Sequence, residues 1–448
     1  MAAPMRGLRP VLSLPRLVAL TFAVIAPSAS VFLTYGSAYA RAGTGLVIGY
    51  GLAAVLNLVT MLAYAELGSA FPRAGGDYSL AANALGRKAA NFYTIFFAFK
   101  GMIIPALLSL TAASYIHMLI PTWPVSWLGA LCLALFIGVA FLEITTSSRV
   151  ITVMVAIEAT VYCLFMASAV VFVHQPWSVL WHPMIDRGQG FVRVPWSSIW
   201  VATTTALYGY NGAQACLYYS EETLANPRDF GRLIIFATLI TVAVEFLGVL
   251  VTTLALPHLG VDRHGAIPLV SLFRQTTWGR RMAPILIAGV SIALIDTGIA
   301  TTMGYGRIYF AIARDGHWPH IINRLCLRIN GRGVPVGALL LLSGINATMI
   351  LLSGVTYLIL FTGSLLLLIY LGIQFAAIVH RFRGPTPPYR MPLWPMPPLL
   401  ATIAMLFLLS HLGRSQLLSV VIILILGTIL ALTDHGKQES MPKDNLHR

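Results

Sequence analysis

Long apolar segments recur along the whole chain, and they restrict its possible folds more than any other feature. A helix of about 20 apolar residues crosses the hydrocarbon core of a bilayer. The chain is 58% hydrophobic and only 10% charged, whereas about 25% of the residues in a soluble domain are charged. We therefore predict an all-α membrane protein with twelve transmembrane helices. The predicted spans lie near residues 17–40, 45–70, 88–119, 126–143, 150–173, 197–220, 231–257, 282–312, 335–353, 356–380, 397–412 and 415–433.

The Lys and Arg residues are divided unevenly between the two sides of the predicted membrane. With the N-terminus in the cytoplasm, 20 of the 29 Lys and Arg residues fall on the cytoplasmic side and 8 on the other, and Lys100 lies inside a span. Cytoplasmic loops carry the excess of positive charge in membrane proteins. We therefore predict that both termini are cytoplasmic and that the protein lies in a plasma membrane of the bacterial inner-membrane type.

The first span is interrupted in its middle by Pro27, with Ser28 and Ser30 beside it. Proline removes a backbone donor, and serine side chains can bond the backbone groups that are freed. Broken backbone is tolerated inside a membrane only where it is buried in protein or lines a wet cavity. The break is therefore either a candidate binding site or a simple proline kink.

The sixth span is interrupted as well, by the stretch from Tyr208 to Gln214, which contains two glycines and an asparagine. Glycine and asparagine are poor helix formers and poor neighbours for lipid. The two breaks occupy corresponding places in two halves of five spans each, and an odd number of spans forces the second half to insert upside down. Paired interruptions of this kind indicate a transporter binding site near the midplane of the membrane.

This interpretation divides the chain into seven parts. They are a cytoplasmic N-terminus (1–16), a first repeat with spans 1–5 (17–173), an extracytoplasmic loop (174–196), a second, inverted repeat with spans 6–10 (197–380), a proline-rich cytoplasmic loop (381–396), spans 11 and 12 (397–433) and a cytoplasmic C-terminus (434–448).

Three separated motifs resemble those of the amino acid–polyamine–organocation (APC) superfamily, in its amino acid permease-like branch. The first is the cytoplasmic stretch after span 2. It reads from Tyr64 to Tyr78 and ends with Ala84-Leu85-Gly86-Arg87. The second is Tyr210-Asn211-Gly212, followed by Glu221-Glu222-Thr223 and Asn226-Pro227-Arg228. The third is Arg307-Ile308-Tyr309, followed by Ala313-Arg314-Asp315-Gly316-His317-Trp318-Pro319.

The resemblance implies a LeuT-like fold, a 5+5 inverted repeat with discontinuous helices 1 and 6 and two peripheral helices. It also implies that the two breaks hold the substrate. The N-terminus of a half-helix favours an anion, and unwound carbonyls favour an ammonium group. By position, the carboxylate site is Ser28, Ala29 and Ser30, and the amino-group site is Tyr208, Tyr210, Asn211 and Gly212.

One departure from the family pattern affects the substrate. The usual Gly-small-Gly of span 1 reads Ser28-Ala29-Ser30 here. Serine reduces the close backbone approach that glycine permits and adds hydroxyl groups. The proline-containing version of this stretch resembles that of some amine and polyamine importers, so an amine substrate stays open beside an amino acid.

Ionisable residues inside the spans are costly in lipid and are therefore candidates for function. Glu158 falls where sodium-coupled relatives bind their ion and where several proton-coupled members of the family carry a lysine, so we expect it to carry a proton. Lys100 either contacts the substrate, disfavouring polyamines, or pairs with a carboxylate. Asp296 is a candidate partner for a basic substrate, and Glu245 is a weaker candidate.

At the cytoplasmic ends, Glu66, Glu221 and Glu222 are expected to pair with Arg73, Arg228 or Arg307.

These features predict a secondary active transporter that moves amino acids by alternating access, either proton-coupled or as an exchanger. A polyamine or amine importer is the alternative. An intramembrane enzyme or a channel is disfavoured, because the sequence contains no HExxH motif, no nucleotide-binding loop and no repeated filter sequence. We expect a small-molecule substrate, a proton as coupling ion, no catalytic residue, no cofactor or metal, and no nucleic acid partner.

Overall fold

Helices dominate the computed structural model, which describes residues 8, 10–171, 173–186, 190–256, 277–352 and 354–433. Residues 1–7, 9, 172, 187–189, 257–276, 353 and 434–448, which include the predicted cytoplasmic C-terminus, lie outside the described residues. The helices are α1 (Leu14–Ile25), α2 (Pro27–Ala42), α3 (Leu46–Ala70), α4 (Gly76–Leu85), α5 (Arg87–Leu119), α6 (Val125–Ala140), α7 (Ile144–Val171), α8 (Ser178–Trp181), α9 (Trp196–Gly209), α10 (Pro227–Ala255), α11 (Thr277–Arg314), α12 (His320–Cys326), α13 (Val336–Leu352), α14 (Val355–Arg383), α15 (Met396–Ser410) and α16 (Arg414–Thr433).

Two 3₁₀ segments and one small sheet complete the described part of the chain. The 3₁₀ segments are Gly43–Gly45 and Ala213–Glu222. The strands β1 (Met184–Asp186) and β2 (Phe191–Arg193) pair antiparallel, with Ile185 opposite Val192. This hairpin packs against the turn between α2 and α3, where the Thr44 hydroxyl accepts a bond of 3.0 Å from the Met184 N–H.

Seven helical segments of the described chain are long and apolar enough to cross a bilayer, and the first of them contains α1, α2 and α3. The helices α6, α13 and α15 are shorter but also apolar. The prediction of a helical, multi-pass membrane protein is therefore confirmed. The count of twelve spans and the inverted repeat stay predictions.

The predicted break in the first span separates α1 from α2. Ala26 between them has φ 41° and ψ 72°, so the chain leaves the helical conformation for a single residue. Pro27 then occupies the first position of α2, where a helix leaves its N–H unpaired in any case. The proline thus starts a new half-helix, as its sequence position predicts.

The predicted break in the sixth span follows α9. Beyond Gly209 the chain turns, and it resumes as the 3₁₀ segment that begins at Ala213. Gly212 has φ 136°, which residues with a Cβ rarely adopt. A Cβ on Gly212 would lie 3.0 Å from the Ile25 Cα at the end of α1. The two breaks therefore contact each other through backbone.

Pro105 lies inside α5, where its missing N–H leaves the Gly101 carbonyl without its usual partner. Asn346 of α13 replaces that partner. Its Nδ2 donates to the Gly101 oxygen at 3.1 Å, and its Oδ1 accepts from the Ala106 N–H at 2.8 Å. One buried amide therefore satisfies the backbone around the proline and fixes α13 against α5.

The helices around the two breaks form the packed centre of the protein. α3 packs against α9 and α10, α5 packs against α11 and α6, and α7 packs against α1 and α11. By contrast, α15 and α16 expose apolar faces, with Ile403 65% and Leu418 62% exposed. Such faces are suited to contact with lipid, whereas the buried helices are placed to enclose a site.

Candidate functional site

A cavity lies between the two helix breaks. Residues from four parts of the described chain line it: the first span, α5, α9 with the turn that follows it, and α11. They are Val24, Ile25, Ala29, Ser30, Leu33, Thr34, Ile104, Leu108, Tyr208, Gly209, Asn211, Thr297, Thr301 and Tyr305. None of these lining residues is charged. Their chemistry suits a ligand with an apolar side chain and a few polar groups.

Only two of the three residues predicted to bind the substrate carboxylate line the cavity. Ala29 and Ser30 line the cavity, whereas Ser28 lies outside the lining. Ser28 instead contacts the side chain of Glu158 from α7. Its hydroxyl donates to Glu158 Oε1 at 2.7 Å and its backbone N–H does so at 3.3 Å. The first turn of α2 therefore already holds a carboxylate, which belongs to the protein itself.

The predicted amino-group site is divided in the same way. Tyr208 and Asn211 line the cavity, but Tyr210 and Gly212 do not. The Tyr210 hydroxyl donates to the Tyr50 carbonyl of α3 at 3.3 Å, so this ring serves the packing of α9 on α3. Asn211 Oδ1 accepts from the Tyr370 hydroxyl of α14 at 2.9 Å, which fixes the side chain at the edge of the cavity.

Lys100 is not among the residues that line the cavity. Its Nζ lies 3.0 Å from Asp77 Oδ2, and both side chains are fully buried. Of the two roles left open by the sequence, the structure shows the ion pair with a carboxylate. The partner comes from α4, which directly precedes α5 in the chain.

Three buried carboxylates lie close to the cavity without a described cationic partner. Both oxygens of Glu245 and both of Asp296 lack a hydrogen-bond partner, as does Oε2 of Glu158. Asp296 directly precedes the lining residue Thr297. A Cβ on Gly209 would lie 3.0 Å from Glu245 Oε2, so Glu245 stands immediately behind the cavity wall. Buried acids of this kind are suited to carry protons, because a bare charge is costly there.

Three ion pairs lie near the ends of four elements, and none of their residues lines the cavity. Glu222 forms a buried ion pair with Arg307, which confirms one of the expected pairings. The other two expectations are wrong. Glu221 pairs with Arg314 at 2.9 Å rather than with Arg73 or Arg228, and Glu66 pairs with Arg381 at 3.0 Å. Arg381 lies far along the chain, and only the packing of α14 against α3 brings it there.

Sequence reasoning missed the lining residues of α5 and α11. Thr297, Thr301 and Tyr305 recur every four residues, and Ile104 and Leu108 have the same spacing. Positions four apart lie on one face of a helix. The stripes were therefore visible in the sequence, but the face that a stripe presents depends on how the helices pack.

Comparison with known proteins identifies the family of the chain. Residues 12–438 match the amino acid permease family. The branched-chain amino acid permease BcaP of Bacillus subtilis (strain 168) is 25% identical to this chain over 429 residues, covering 89% of the chain and 88% of the permease. The large neutral amino acids transporter small subunit 2 of Rattus norvegicus is 26% identical, covering 75% of the chain and 63% of that transporter.

A third relative is a longer protein. Cationic amino acid transporter 4 of Homo sapiens is 26% identical over 379 residues, which cover 80% of this chain and 57% of that transporter. The chain thus spans less than two-thirds of both mammalian relatives. The match to the family nevertheless extends over almost the whole chain, and it includes both helix breaks and the cavity between them. The chain belongs to the amino acid permease family of the APC superfamily.

Proposed function

We propose that the protein is a secondary carrier for amino acids with neutral, aliphatic side chains, working by alternating access with protons as the coupling ion. The observation that carries this proposal is the cavity at the two helix breaks, whose lining contains no charged side chain. The proposal includes twelve spans in two inverted repeats, both termini in the cytoplasm and a location in the plasma membrane.

The placement of the substrate follows from the charges at the helix ends. The N-terminus of α2 carries a partial positive charge and suits the carboxylate, and the C-terminus of α9 carries a partial negative charge and suits the ammonium group. The side chain of the substrate would then point toward Leu33, Ile104 and Leu108, which line the cavity. This arrangement supports a substrate with an aliphatic side chain.

The uncharged lining also argues against a polyamine or a basic amino acid. A buried ammonium group at the end of a side chain needs a carboxylate partner. Asp296 and Glu245 stand behind the lining rather than in it. The branched-chain and large neutral specificities in the names of two relatives agree with a neutral substrate, whereas the cationic specificity in the name of the third does not.

The three ion pairs support alternating access. In the proposed orientation they lie at the cytoplasmic end, where Glu222 and Arg307 are both buried. A path from the cavity to the cytoplasm would require these pairs to separate. We propose that they form the cytoplasmic gate, and that Glu158 and Asp296 take up and release the coupling proton.

Thermal unfolding of the purified protein tests the substrate class, because a ligand that binds only the folded state raises the unfolding temperature. We expect valine, leucine and isoleucine to stabilise the protein, and putrescine and lysine to have no effect. Leu108→Trp should abolish the stabilisation by filling the cavity. Leu131→Trp is the matched control, because Leu131 is 60% exposed on the outer face of α6. Stabilisation by putrescine alone would favour an amine importer instead.

A further inference from the structure

The first turn of α2 has few backbone donors for an anion. Pro27 has no N–H, and the Ser30 N–H is bonded to the Ala26 carbonyl at 2.9 Å. The N–H groups of Ser28 and Ala29 remain. Ser28 donates to Glu158 Oε1 through both its N–H and its hydroxyl, and the Ala29 N–H acts on the same carboxylate. Glu158 therefore lies at the two N–H groups that the turn leaves free, and it is bonded to Ser28.

We propose that Glu158 is a tethered anion that occupies the carboxylate-binding end of α2, and that its protonation releases this position to the carboxylate of the amino acid. The proposal rests on the proposed function, which assigns that end of α2 to the carboxylate of the substrate. The tethered anion explains why binding of the substrate and binding of the proton depend on each other. The substrate replaces a charge that the protein itself supplies.

Two ionised carboxylates cannot share these donors. Like charges about 4 Å apart repel strongly where the effective dielectric constant is low. Glu158 is 5% exposed, and its Oε2 has no hydrogen-bond partner, so water gives little screening. A proton on Glu158 removes the repulsion and also weakens its hold on the two N–H groups. Binding of the substrate carboxylate and protonation of Glu158 are therefore one coupled event.

The surroundings of Glu158 favour a proton over a cationic side chain as the neutralising group. The charge of Glu158 acts on three other titratable groups, Tyr162 on α7, Glu245 on α10 and Asp296 on α11. Two of these three are themselves acids. Arg16 lies at the start of α1 and Arg41 at the end of α2, both distant from the break, and α6 carries no charged residue. Within the described residues, no Lys or Arg replaces the proton.

The binding of leucine to the purified protein, measured from about pH 5 to about pH 8.5, tests this coupling, because leucine keeps one ammonium and one carboxylate over that range. In the wild-type protein we expect the Kd to rise about tenfold for each pH unit once Glu158 ionises. Glu158→Gln should bind leucine at every pH as tightly as the wild type does at low pH. Leucine binding should take up about one proton in the wild type and none in Glu158→Gln.

Two further variants test the proposal if Glu158→Gln folds poorly. Ser28→Ala removes the 2.7 Å bond to Glu158 Oε1, which destabilises the anion. The affinity for leucine should then begin to fall at a higher pH than in the wild type. Glu245→Gln removes a second buried acid, which acts on Ser30 rather than on the N–H groups of Ser28 and Ala29, and it should keep the tenfold slope.

Leucine binding that is independent of pH in the wild type would overturn the tethered-anion proposal and leave the proposed function standing. A slope that survives in Glu158→Gln, or that is lost in Glu245→Gln instead, would also overturn it. Absence of leucine binding in all variants at every pH would overturn the proposed function itself. The two failures are therefore distinguishable.

Discussion

Gly212, in the break that follows α9, packs directly on the backbone of Ile25, at the end of α1. A Cβ on Gly212 would lie 3.0 Å from the Ile25 Cα and 3.1 Å from its nitrogen. The break after α9 therefore touches the last residue of α1, which directly precedes the first break at Ala26. A substrate that contacts Ala29 on one side and Asn211 on the other joins two segments that already support each other.

Replacement of Gly212 by alanine should weaken leucine binding and lower the unfolding temperature. The added Cβ meets the Ile25 backbone, and φ 136° is strained for alanine by about 1–3 kcal/mol. Gly190→Ala is the matched control, since Gly190 has φ 121° and open space around it. Differential scanning fluorimetry and leucine binding measure the two effects. Equal behaviour of the two variants would contradict close packing between the breaks.

Replacement of Asn346 by alanine should destabilise the protein by about 1–3 kcal/mol for each backbone group left unpaired. The Gly101 carbonyl and the Ala106 N–H would both lose a partner. Thr348→Ala on the same helix removes only an exposed local bond, and it should change the stability little. In a Pro105→Ala background the residue at 105 again has an N–H for Gly101, so the cost of Asn346→Ala should fall. A double-mutant cycle that shows additivity would contradict this role.

Removal of one partner of the buried pair between Glu222 and Arg307 should cost about 3–5 kcal/mol, because the other charge is left without compensation. Glu222→Leu combined with Arg307→Met should recover much of this loss. The exposed pair of Arg232 with Asp229, at 4.0 Å, serves as the comparison, and Arg232→Ala should cost no more than about 1 kcal/mol. Thermal unfolding of Glu222→Leu, Arg307→Met, their combination and Arg232→Ala measures these differences in stability. A single Glu222→Leu variant as stable as the wild type would contradict the buried pair.

Replacement of Ile104 by alanine should enlarge the apolar end of the cavity. We expect the affinity for valine to fall about tenfold, and the affinity for phenylalanine to rise, since hydrophobic pockets discriminate by size on this scale. Ile403→Ala is the control, because Ile403 is 65% exposed on α15. Competition against labelled leucine measures both affinities. If Ile104→Ala keeps the same order of affinity for valine and phenylalanine as the wild type, Ile104 does not contact the side chain of the substrate.

The sequence predicted those features of the site that depend on local backbone chemistry. Pro27 and Gly212 mark the breaks because one residue lacks an N–H and the other lacks a Cβ, and both effects are independent of the rest of the fold. The helical character of the chain and its membrane class followed from apolar segment length in the same way. The count of twelve spans and the repeat symmetry depend on more than local chemistry, and they stay predictions.

Features that depend on packing between distant helices were not predictable from local patterns. Lys100 and Asp77 are separated by the end of α4, and their pairing requires α4 to fold back on α5. The sequence placed Ser28 in the substrate site, whereas the structure directs it to Glu158. Thr301 lies on a recognisable stripe, but nothing local indicates that this stripe, rather than another, faces the cavity.

Counterflow in proteoliposomes tests the central claim most directly. Vesicles that contain the purified protein are loaded with unlabelled leucine and diluted into a trace of labelled leucine, with Leu108→Trp as the blocked control. A carrier for neutral aliphatic amino acids should accumulate the label, lose this uptake in the blocked variant, and show no uptake of labelled putrescine in matched vesicles. Accumulation of putrescine, with no accumulation of leucine, valine or isoleucine, would contradict the claim.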